Sequence, residues 1–465
     1  MEGIGLLYEE PHEPQRKLVY ICSMDYDVLV VGGGVSGLYA ARLLQEEGFR
    51  VHLLEAQERL GGRLHTVESP EGHPIDLGGQ WVGVQHDKLL GLCRAYRVPL
   101  HATYFKGRHR LITARRTYTY TGTIPRLPFK ALISLGWGLH KLRKAAQRLS
   151  LQAPWEGIPE GWDEITLAAW RRQHIPDALA REVFDIGLAT VLGCEPEEVS
   201  FWHTLFYIQS AGSLEALIET DRGAQAYKFT QGAKVLVERL AEGLSYELGC
   251  PVRRVMYGPS GVKVEAGEHA YRARGLIVAV PPAVLGRIVW EPPLPPVHQQ
   301  LSQRMPMGSV TKVVAIYERP FWREGGWSGH FLRTQGAMRL GFDTSPLGGE
   351  YGQVTAFGVG PVARRLLYLE PEARQAFYER EMTEVLGQKP KYLYQKSWSE
   401  EPWVGGCYVG FFGPGGWRYF GQALYKALPS VYWAGTERSR RWMGYIEGAL
   451  WAAEAAVDAL DRQGE

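Results

Sequence analysis

A β-branched run that ends in a glycine-rich turn constrains this 465-residue chain more than any other feature of its sequence. The run is Asp27-Val-Leu-Val-Val31, which is typical of a strand buried in a parallel sheet. The glycine-rich turn follows directly, and residues 38–47 then have the pattern of a helix that Gly48 closes. A second apolar run at residues 51–55 predicts another strand. This order of elements indicates a βαβ unit of about 30 residues.

Three glycines of the turn, Gly32, Gly34 and Gly37, have the GxGxxG spacing of a dinucleotide-binding site. The first permits a tight turn, the second lets the backbone approach a pyrophosphate, and the third allows the helix to pack closely on the strand. A helix that starts near Val35 would direct its free N–H groups at the phosphates. Glu55 ends the second strand, where a carboxylate can accept hydrogen bonds from ribose hydroxyls and disfavours a 2′-phosphate. We therefore predict that the chain binds a dinucleotide.

The rest of the chain alternates between helical and strand patterns. The predicted elements are a mainly helical region over 127–218, a helix over 235–248, antiparallel strands over 251–274, a buried strand over 276–280, a strand over 310–317, a helix over 371–386, a strand over 431–435 and a helix over 445–460. The pattern predicts two discontinuous domains. We assign residues 25–105, 228–300 and 403–465 to the nucleotide-binding domain, residues 106–227 and 301–402 to a substrate-binding domain, and residues 1–24 to a flexible extension.

Composition and charge exclude several classes of protein. The formal net charge of +2 is too small for a general nucleic-acid binder, so we expect no nucleic-acid partner. The five cysteines include no CxxC pair, and the histidines form no HExxH pattern, so we expect neither a disulfide framework nor a metal site. The odd number and irregular spacing of the cysteines favour a reducing compartment, and we expect a cytoplasmic location. No apolar run approaches the roughly 20 residues that span a bilayer, so we expect no membrane anchor.

Six short blocks carry a resemblance to a known family. They are LEAQERLGGR at 54–63, DLGGQWVG at 76–83, GSVTK at 308–312, GGCY at 405–408, WAGTE at 433–437 and GYIEG at 444–448. In this order they resemble the flavin-dependent amine oxidases, most closely the monoamine oxidases. The resemblance implies an α/β fold, in which a Rossmann-like FAD-binding domain is joined to a discontinuous α+β substrate-binding domain.

FAD is the cofactor that the resemblance implies. Arg63 is expected to contact its pyrophosphate, since a guanidinium fork suits phosphate oxygens, and Glu437 to help fix its ribityl or phosphate region. A surface ion pair is the alternative for these two residues. The backbone of Val252 is expected to meet the adenine. Cys407 stands where monoamine oxidases join a cysteine to the flavin 8α-methyl group, which implies an 8α-S-cysteinyl bond. Some relatives bind FAD without this bond, so non-covalent FAD stays open.

The resemblance also assigns catalytic positions. Lys312 matches the lysine that contacts the flavin N5 through a water and is tied to reoxidation by dioxygen; a solvent-facing strand lysine is the alternative. Tyr408 and Tyr445 match the two rings of an aromatic cage, which would exclude water and steer an amine nitrogen towards the flavin. Trp442 would support them. An ordinary aromatic core is the alternative for these rings.

Further positions are carried over to the substrate pocket. They are Trp81, Ile218, Gln225 and Phe357. Thr190 and Arg339 fall where the mitochondrial enzymes have larger apolar or aromatic cavity residues, and Trp81 replaces a tyrosine. These differences leave the preferred amine open.

The expected function is oxidative deamination of a primary aryl or alkyl monoamine by FAD and dioxygen, giving aldehyde, ammonia and hydrogen peroxide. Polyamine oxidation is an alternative that needs a carboxylate in the cavity, and L-amino acid oxidation needs a cation, for which Arg339 is a candidate. An enzyme similar to carotenoid desaturases or protoporphyrinogen oxidase is a different class, and a non-catalytic flavin-binding protein is a third. A homodimer is one assembly that the sequence allows.

Overall fold

The computed structural model describes residues 25–464, and the predicted flexible extension lies outside them. The described helices are α1 (Val35–Glu46), α2 (Asp87–Ala95), α3 (Phe129–Ala146), α4 (Leu167–His174), α5 (Ala178–Leu192), α6 (Phe201–Ser210), α7 (Leu214–Ile218), α8 (Lys234–Ala241), α9 (Pro296–Arg304), α10 (Phe321–Glu324), α11 (Gly360–Leu366), α12 (Pro371–Leu386), α13 (Gly416–Tyr425) and α14 (Ile446–Gly464).

The described strands are β1 (Asp25–Val31), β2 (Val51–Leu54), β3 (Thr66–Glu68), β4 (Pro74–Asp76), β5 (Trp81–Val82), β6 (Leu100–Ala102), β7 (Arg108–Ile112), β8 (Thr117–Tyr120), β9 (Tyr227–Phe229), β10 (Tyr246–Glu247), β11 (Val252–Gly258), β12 (Gly261–Ala266), β13 (His269–Val278), β14 (Val289–Glu291), β15 (Thr311–Tyr317), β16 (Trp327–Arg333), β17 (Met338–Asp343), β18 (Gly352–Gly358), β19 (Tyr392–Ser397) and β20 (Val431–Trp433).

An eight-stranded sheet contains the βαβ unit. Its strands follow the order β10-β2-β1-β13-β12-β11-β14, and β20 pairs with the end of β13. β1 lies between the parallel strands β2 and β13. Val28 and Val30 pack with apolar residues of α1 and α14 on one face, whereas Leu29 and Val31 pack with β11 and β12 on the other. Because both faces are covered, the second half of β1, residues 28–31, is continuously apolar rather than alternating.

A seven-stranded sheet forms the second layer, in the order β19-β15-β18-β17-β16-β7-β8. Its pairs are antiparallel except that β16 and β7 run parallel. All seven residues of β15 are buried, Lys312 among them, and Lys312 is the register partner of Phe357 on β18. Because these two residues lie opposite each other on adjacent strands, their side chains lie on the same face of the sheet.

Each of the two large sheets draws on only one of the two predicted sets of segments, whereas β9 of a small three-stranded sheet lies across their boundary at residues 227 and 228. The eight-stranded sheet uses strands between residues 25 and 54, between 246 and 291, and at 431–433. The seven-stranded sheet uses strands between residues 108 and 120 and between 311 and 397. Helices α3 to α7 pack beside the second sheet, where Trp202 and Phe206 of α6 are almost completely buried. The fold is thus a discontinuous α/β arrangement with an inserted helical layer.

Most predicted elements are confirmed with shifts of a few residues; α1 begins at Val35, and α12 has the predicted bounds. Two predictions were wrong in part. The helix expected over 235–248 ends at Ala241, because Gly243 has φ +74° and turns the chain into β10. The buried strand expected over 276–280 is confirmed at residues 276–278, but it is the last part of the ten-residue strand β13 rather than a separate strand. In the described part of the chain, none of the helices has the length and apolar composition needed to cross a bilayer.

Candidate active site

The glycine-rich turn joins β1 to α1 in the geometry that the spacing predicts. Gly32 has φ +105°, in the region that favours glycine, and its N–H donates to the carbonyl of Leu54. A Cβ on Gly37 would lie 2.0 Å from the Gly32 carbonyl oxygen, so only glycine fits the start of α1 there. A Cβ on Gly34 would meet one atom, the Gly62 Cα at 3.9 Å. The turn is therefore closed against the sheet and open towards the space above Gly34.

The N-terminus of α1 carries no side-chain cap, and Val35 and Ser36 line a cavity there. Uncapped N–H groups at a helix N-terminus suit an anion. Glu55 follows β2 and accepts hydrogen bonds from the N–H groups of Gly33 and, at 2.8 Å, of Gln57. Burial raises the pKa of Glu55, although these hydrogen bonds favour the carboxylate. Val252 lines the same end of the cavity at the start of β11.

Arg63 and Glu437 form a buried ion pair across 374 residues of sequence. Nη1 of Arg63 donates to Oε1 of Glu437 at 2.6 Å, Nη2 donates to Oε2 at 3.0 Å, and Nη1 also donates to the Tyr408 carbonyl at 2.6 Å. Burial raises the pKa of Glu437, but the charge and hydrogen bonds of Arg63 more than offset this and hold the pKa below its ordinary value. The pair links the glycine-rich region near the phosphate end to the segment that carries Tyr408.

One elongated cavity of about 420 Å³ runs from the glycine-rich turn to an aromatic chamber. Its described lining includes Gly32, Gly34, Glu55, Arg63 and Val252 at the first end and Lys312, Cys407, Tyr408 and Tyr445 at the second. The sequence-predicted residues of both kinds therefore share a single continuous space. Gly37 packs beneath the turn, and Glu437 lies behind Arg63.

Lys312 faces this space rather than solvent. Its Nζ donates to the Gly78 carbonyl at 2.8 Å and to Oε1 of Gln80 at 2.7 Å, and it lies 5.8 Å from the centre of the Trp81 ring. Burial lowers the pKa of Lys312 to about 7, because the charged form is poorly solvated and a second buried lysine, Lys228, lies near it. Lys312 can therefore bind and release a proton near neutral pH.

Cys407 is buried beside the chamber with its thiol 3.7 Å from the Val310 carbonyl. Burial raises the pKa of this thiol to about 12, while Arg63 and Lys312 act in the opposite direction. The peptide between Cys407 and Tyr408 is cis. The thiol thus lies in the cavity near Arg63 and Lys312, whose charges only partly offset the effect of burial.

Tyr408 and Tyr445 enter the chamber from separate segments and contact different aromatic partners. Tyr408 lies 5.9 Å from Phe357 between ring centres, at an interplanar angle of 75°. Tyr445 lies 5.1 Å from Trp442 and 6.3 Å from Tyr207. Burial raises the pKa of both phenols, so both are neutral at physiological pH. Each tyrosine keeps part of its surface open to the cavity.

The predicted pocket residues differ in where they lie. Trp81, Thr190, Ile218, Gln225 and Phe357 line the cavity. Arg339 does not: its Nε donates to the Arg333 carbonyl at 2.9 Å, and its guanidinium lies near Glu195 and Asp185. The expectation that Arg339 offers a cation to a substrate carboxylate was therefore wrong, because this side chain is already occupied by the protein.

Sequence reasoning missed several residues of the site. Gln80, which holds Lys312, lies inside the glycine-rich block at 76–83, and its place next to the predicted pocket residue Trp81 was the available signal. His109 and His330 line the cavity on neighbouring strands β7 and β16. Nothing in their local sequence indicates this, because the pairing of these two strands joins distant segments.

The described residues fit FAD on three counts. The turn leaves open space above Gly34 at an uncapped helix N-terminus, where a pyrophosphate would lie. Glu55 offers a carboxylate for ribose hydroxyls. The Trp81 indole N–H is buried in the described part of the chain without a hydrogen-bond partner, beside Lys312 at the end where a flavin ring would lie.

Comparison with a family model and with known proteins adds an independent finding. The model described as flavin containing amine oxidoreductase matches residues 35–461. A probable flavin-containing monoamine oxidase A from Dictyostelium discoideum is 33% identical over 436 residues, which cover 91% of this chain and 95% of the relative. An L-amino acid dehydrogenase from Synechocystis is 34% identical over 457 residues, which cover 94% of this chain and 95% of the relative.

Among solved structures, wild-type putrescine oxidase bound to putrescine superimposes with a TM-score of 0.90 at 26% identity, and the match covers 95% of this chain and all of that one. The three named proteins act on different kinds of amine. Similarity therefore shows the shared chemistry, and the side chains of this cavity must decide the substrate.

Proposed function

Because this chain belongs to the flavin-containing amine oxidoreductases and is an FAD-dependent amine oxidase, we propose that it oxidises primary monoamines with an aryl or alkyl body. One amine, one dioxygen and one water would give one aldehyde, one ammonia and one hydrogen peroxide. The carbon–nitrogen unit loses two electrons and dioxygen gains them. The substrate and dioxygen are the small-molecule partners in this proposal.

The composition of the cavity carries the proposal. Among the described residues that line it, Glu55 is the one acidic side chain, and it lies at the glycine-rich end, away from the aromatic chamber. The chamber itself is lined by aromatic and aliphatic groups such as Phe342, Phe357 and Leu332. A second ammonium group would find no carboxylate there, and burying it unpaired would cost several kcal/mol. An amine with one nitrogen and an apolar body fits this lining.

Each catalytic residue has a distinct proposed role. The rings of Tyr408 and Tyr445 hold the neutral amine between them and keep water out of the reacting space. Lys312, fixed by Gly78 and Gln80, exchanges a proton with a neighbouring water while dioxygen is reduced. FAD, when bound, supplies the acceptor for a hydride equivalent and passes its electrons to dioxygen. Arg63 and Glu437 fix the spacing between the phosphate end and the chamber.

The alternatives within the family gain no support from this cavity. Polyamine oxidation lacks a carboxylate in the chamber for the distal ammonium, and L-amino acid oxidation lacks the cation for which Arg339 was the candidate.

A desaturase-like enzyme would act at a membrane, and α3 does expose apolar side chains at Phe129, Ile133 and Trp137. Sedimentation with lipid vesicles separates that class, because strong binding would favour it. A non-catalytic protein would show no flavin reduction by any amine.

The substrate experiment measures oxygen consumption with phenethylamine, putrescine and L-phenylalanine on the purified flavoprotein. The proposal predicts the highest kcat/KM for phenethylamine, with hydrogen peroxide formed in equal amount to oxygen consumed. A clear preference for putrescine or L-phenylalanine would overturn the monoamine assignment and leave the family membership intact.

We further propose that Cys407 carries FAD through an 8α-S-cysteinyl bond. The support is the position of its thiol in the cavity within the GGCY block; burial raises the pKa of the thiol, and the nearby Arg63 and Lys312 act against this rise. Acid precipitation tests it: a yellow pellet from the wild-type protein and a colourless pellet from Cys407→Ala are expected. Complete release of FAD from the wild type would contradict the bond. A cytoplasmic location and a homodimer remain proposals that cell fractionation and light scattering test.

A further inference from the structure

Two histidines meet in the wall of the aromatic chamber. His109 lies on β7 and His330 on the parallel neighbour β16, and their ring centres are 5.2 Å apart. Both side chains are more than nine-tenths buried and line the cavity. No step of the proposed reaction uses them. They are the imidazoles of this cavity, in a lining that is otherwise mostly apolar.

The hydrogen bonds around the pair fix the tautomer of His330 and leave two for His109. Ser328 can donate its hydroxyl proton to the Arg108 carbonyl at 3.2 Å and accept from Nδ1 of His109 at 2.6 Å, or donate to that nitrogen instead. Nε2 of His330 lies 3.2 Å from the Tyr104 carbonyl, which can only accept, so this nitrogen carries the proton. Nδ1 of His330 is therefore a lone-pair acceptor, and Nε2 of His109 is one when Ser328 donates to the Arg108 carbonyl; neither nitrogen has a hydrogen-bond partner among residues 25–464.

Both rings are neutral at physiological pH. Burial lowers the pKa of His109 to about 4. Burial and the neighbouring His109 lower the pKa of His330 to about 3. Neutral acceptors attract neither an anion nor a metal that needs further ligands, and the described residues include no group of three or more acidic, histidine or cysteine side chains that could hold a metal. What the pair can do is accept hydrogen bonds from a neutral donor.

The aromatic wall connects the pair to the tyrosine chamber. His330 contacts Phe342 edge-on at 4.8 Å between ring centres, and Phe342 lies 6.4 Å from Phe357. Phe357 in turn lies 5.9 Å from Tyr408. A flat amine whose nitrogen lies at Tyr408 would extend along Phe357 and Phe342. The far end of such a molecule would then point towards the two imidazoles.

Building on the proposed monoamine oxidation, we propose that His109 and His330 form a subsite for a hydrogen-bond donor at the distal end of an aromatic amine, such as a phenol hydroxyl. The donor pairs with an imidazole nitrogen that faces the cavity and has no partner among the described residues, which adds one hydrogen bond to the complex. A distal ammonium could also donate, but its full charge would lie in an apolar wall without a counter-ion. The pair thus selects hydroxylated arylalkylamines over diamines and over amines with a purely apolar end.

The test compares 4-hydroxyphenethylamine with 4-methoxyphenethylamine, which fills similar space but cannot donate. A bond of ordinary strength predicts that kcat/KM in the wild type favours the hydroxyl compound by about 3- to 10-fold. His109→Phe and His330→Phe should reduce this ratio to about 1, and His109→Gln should restore part of it because the amide oxygen accepts. His269→Phe, at an exposed position of β13, is the matched control and should keep the wild-type ratio.

A binding measurement on the purified holoenzyme tests the subsite without turnover. Calorimetry should show tighter binding of p-cresol than of 4-methylanisole, and His109→Phe should abolish the difference; thermal melting verifies that each variant is folded. Equal binding of the two compounds by the wild type would overturn the subsite, whatever the enzyme oxidises. Tighter binding of p-cresol without oxidation of any amine would leave the subsite standing and reject the proposed function.

Discussion

Replacing Arg63 by methionine removes the positive charge from a carboxylate that the protein has taken out of water. The Glu437 side chain is 1% exposed, and both of its oxygens accept from Arg63, at 2.6 and 3.0 Å. After the substitution, the remaining donors are backbone N–H groups, those of Gly410, at 3.3 Å, and of Glu437 itself. Breaking a buried pair by removing one partner typically costs about 3–5 kcal/mol, because the other charge stays buried and unpaired.

The pH dependence of that loss has a definite sign. In the wild type, the pKa of Glu437 lies below its ordinary value, so the pair stabilises the fold above the unfolded pKa of about 4.3 and loses this contribution as pH falls through the folded pKa. In Arg63→Met, burial, the largest influence on this carboxyl, is opposed by backbone hydrogen bonds alone, so we expect the pKa of Glu437 to rise. The deficit of the variant should therefore be small in acid, where the carboxyl is protonated, and grow towards neutral pH.

Denaturant unfolding followed by intrinsic fluorescence measures the loss, with Arg63→Met, Glu437→Gln and the double variant compared as a cycle. A chain of 465 residues with a cofactor need not unfold in two states, so the cycle rather than any single value is decisive. The double variant should lose clearly less than the sum of the single losses. The exposed pair of Arg418 with Glu164, at 2.8 Å, is the matched control, and Arg418→Met should cost no more than about 1 kcal/mol. Additive losses, or an Arg63→Met loss no larger than that of Arg418→Met, would refute the reasoning.

Two further predictions concern the lysine and the turn. Lys312→Met should slow reoxidation by dioxygen more than reduction by amine in stopped-flow measurements, and an unchanged oxygen reaction would count against its role. Burial lowers the pKa of Lys312 to about 7, so between pH 7 and about 10.4 the unfolded chain binds more protons than the folded one. Lys312→Met should therefore be more stable than the wild type below pH 7 and should lose this advantage as pH rises. A stability difference that stays constant across this pH range would show that Lys312 is not buried as a neutral amine. Gly37→Ala should lose flavin, measured as visible absorbance relative to protein absorbance, because its Cβ would lie 2.0 Å from the Gly32 oxygen, whereas Gly91→Ala on α2 meets nothing within 4 Å and should retain it. Equal flavin content in the two glycine variants would contradict the geometry of the turn.

The parts of this fold that the sequence predicts are those decided by local sterics. The turn from β1 to α1 follows from glycine spacing alone, and the hairpins of β11 to β13 follow from turn glycines between short apolar runs. The end of α8 was missed because one glycine with positive φ outweighs the helical pattern around it. Local pattern is weakest where a single residue redirects the chain.

The residues of the active site were predicted from the family resemblance rather than from local sequence pattern. The resemblance brought Lys312, Tyr408 and Tyr445 to notice, and all three line one cavity. Arg339 was carried to the same cavity by alignment, but its guanidinium is bound by the Arg333 carbonyl. Neither the ion pair of Arg63 nor the meeting of β7 with β16 has a local signature, because both are set by tertiary packing of distant segments.

Anaerobic titration of the purified flavoprotein with phenethylamine tests the central claim most directly. The account predicts that the visible flavin absorbance is bleached by one equivalent of amine per flavin, and that admitting air restores it with release of hydrogen peroxide. A preparation that carries flavin in this cavity and keeps its full colour with excess phenethylamine would contradict the account.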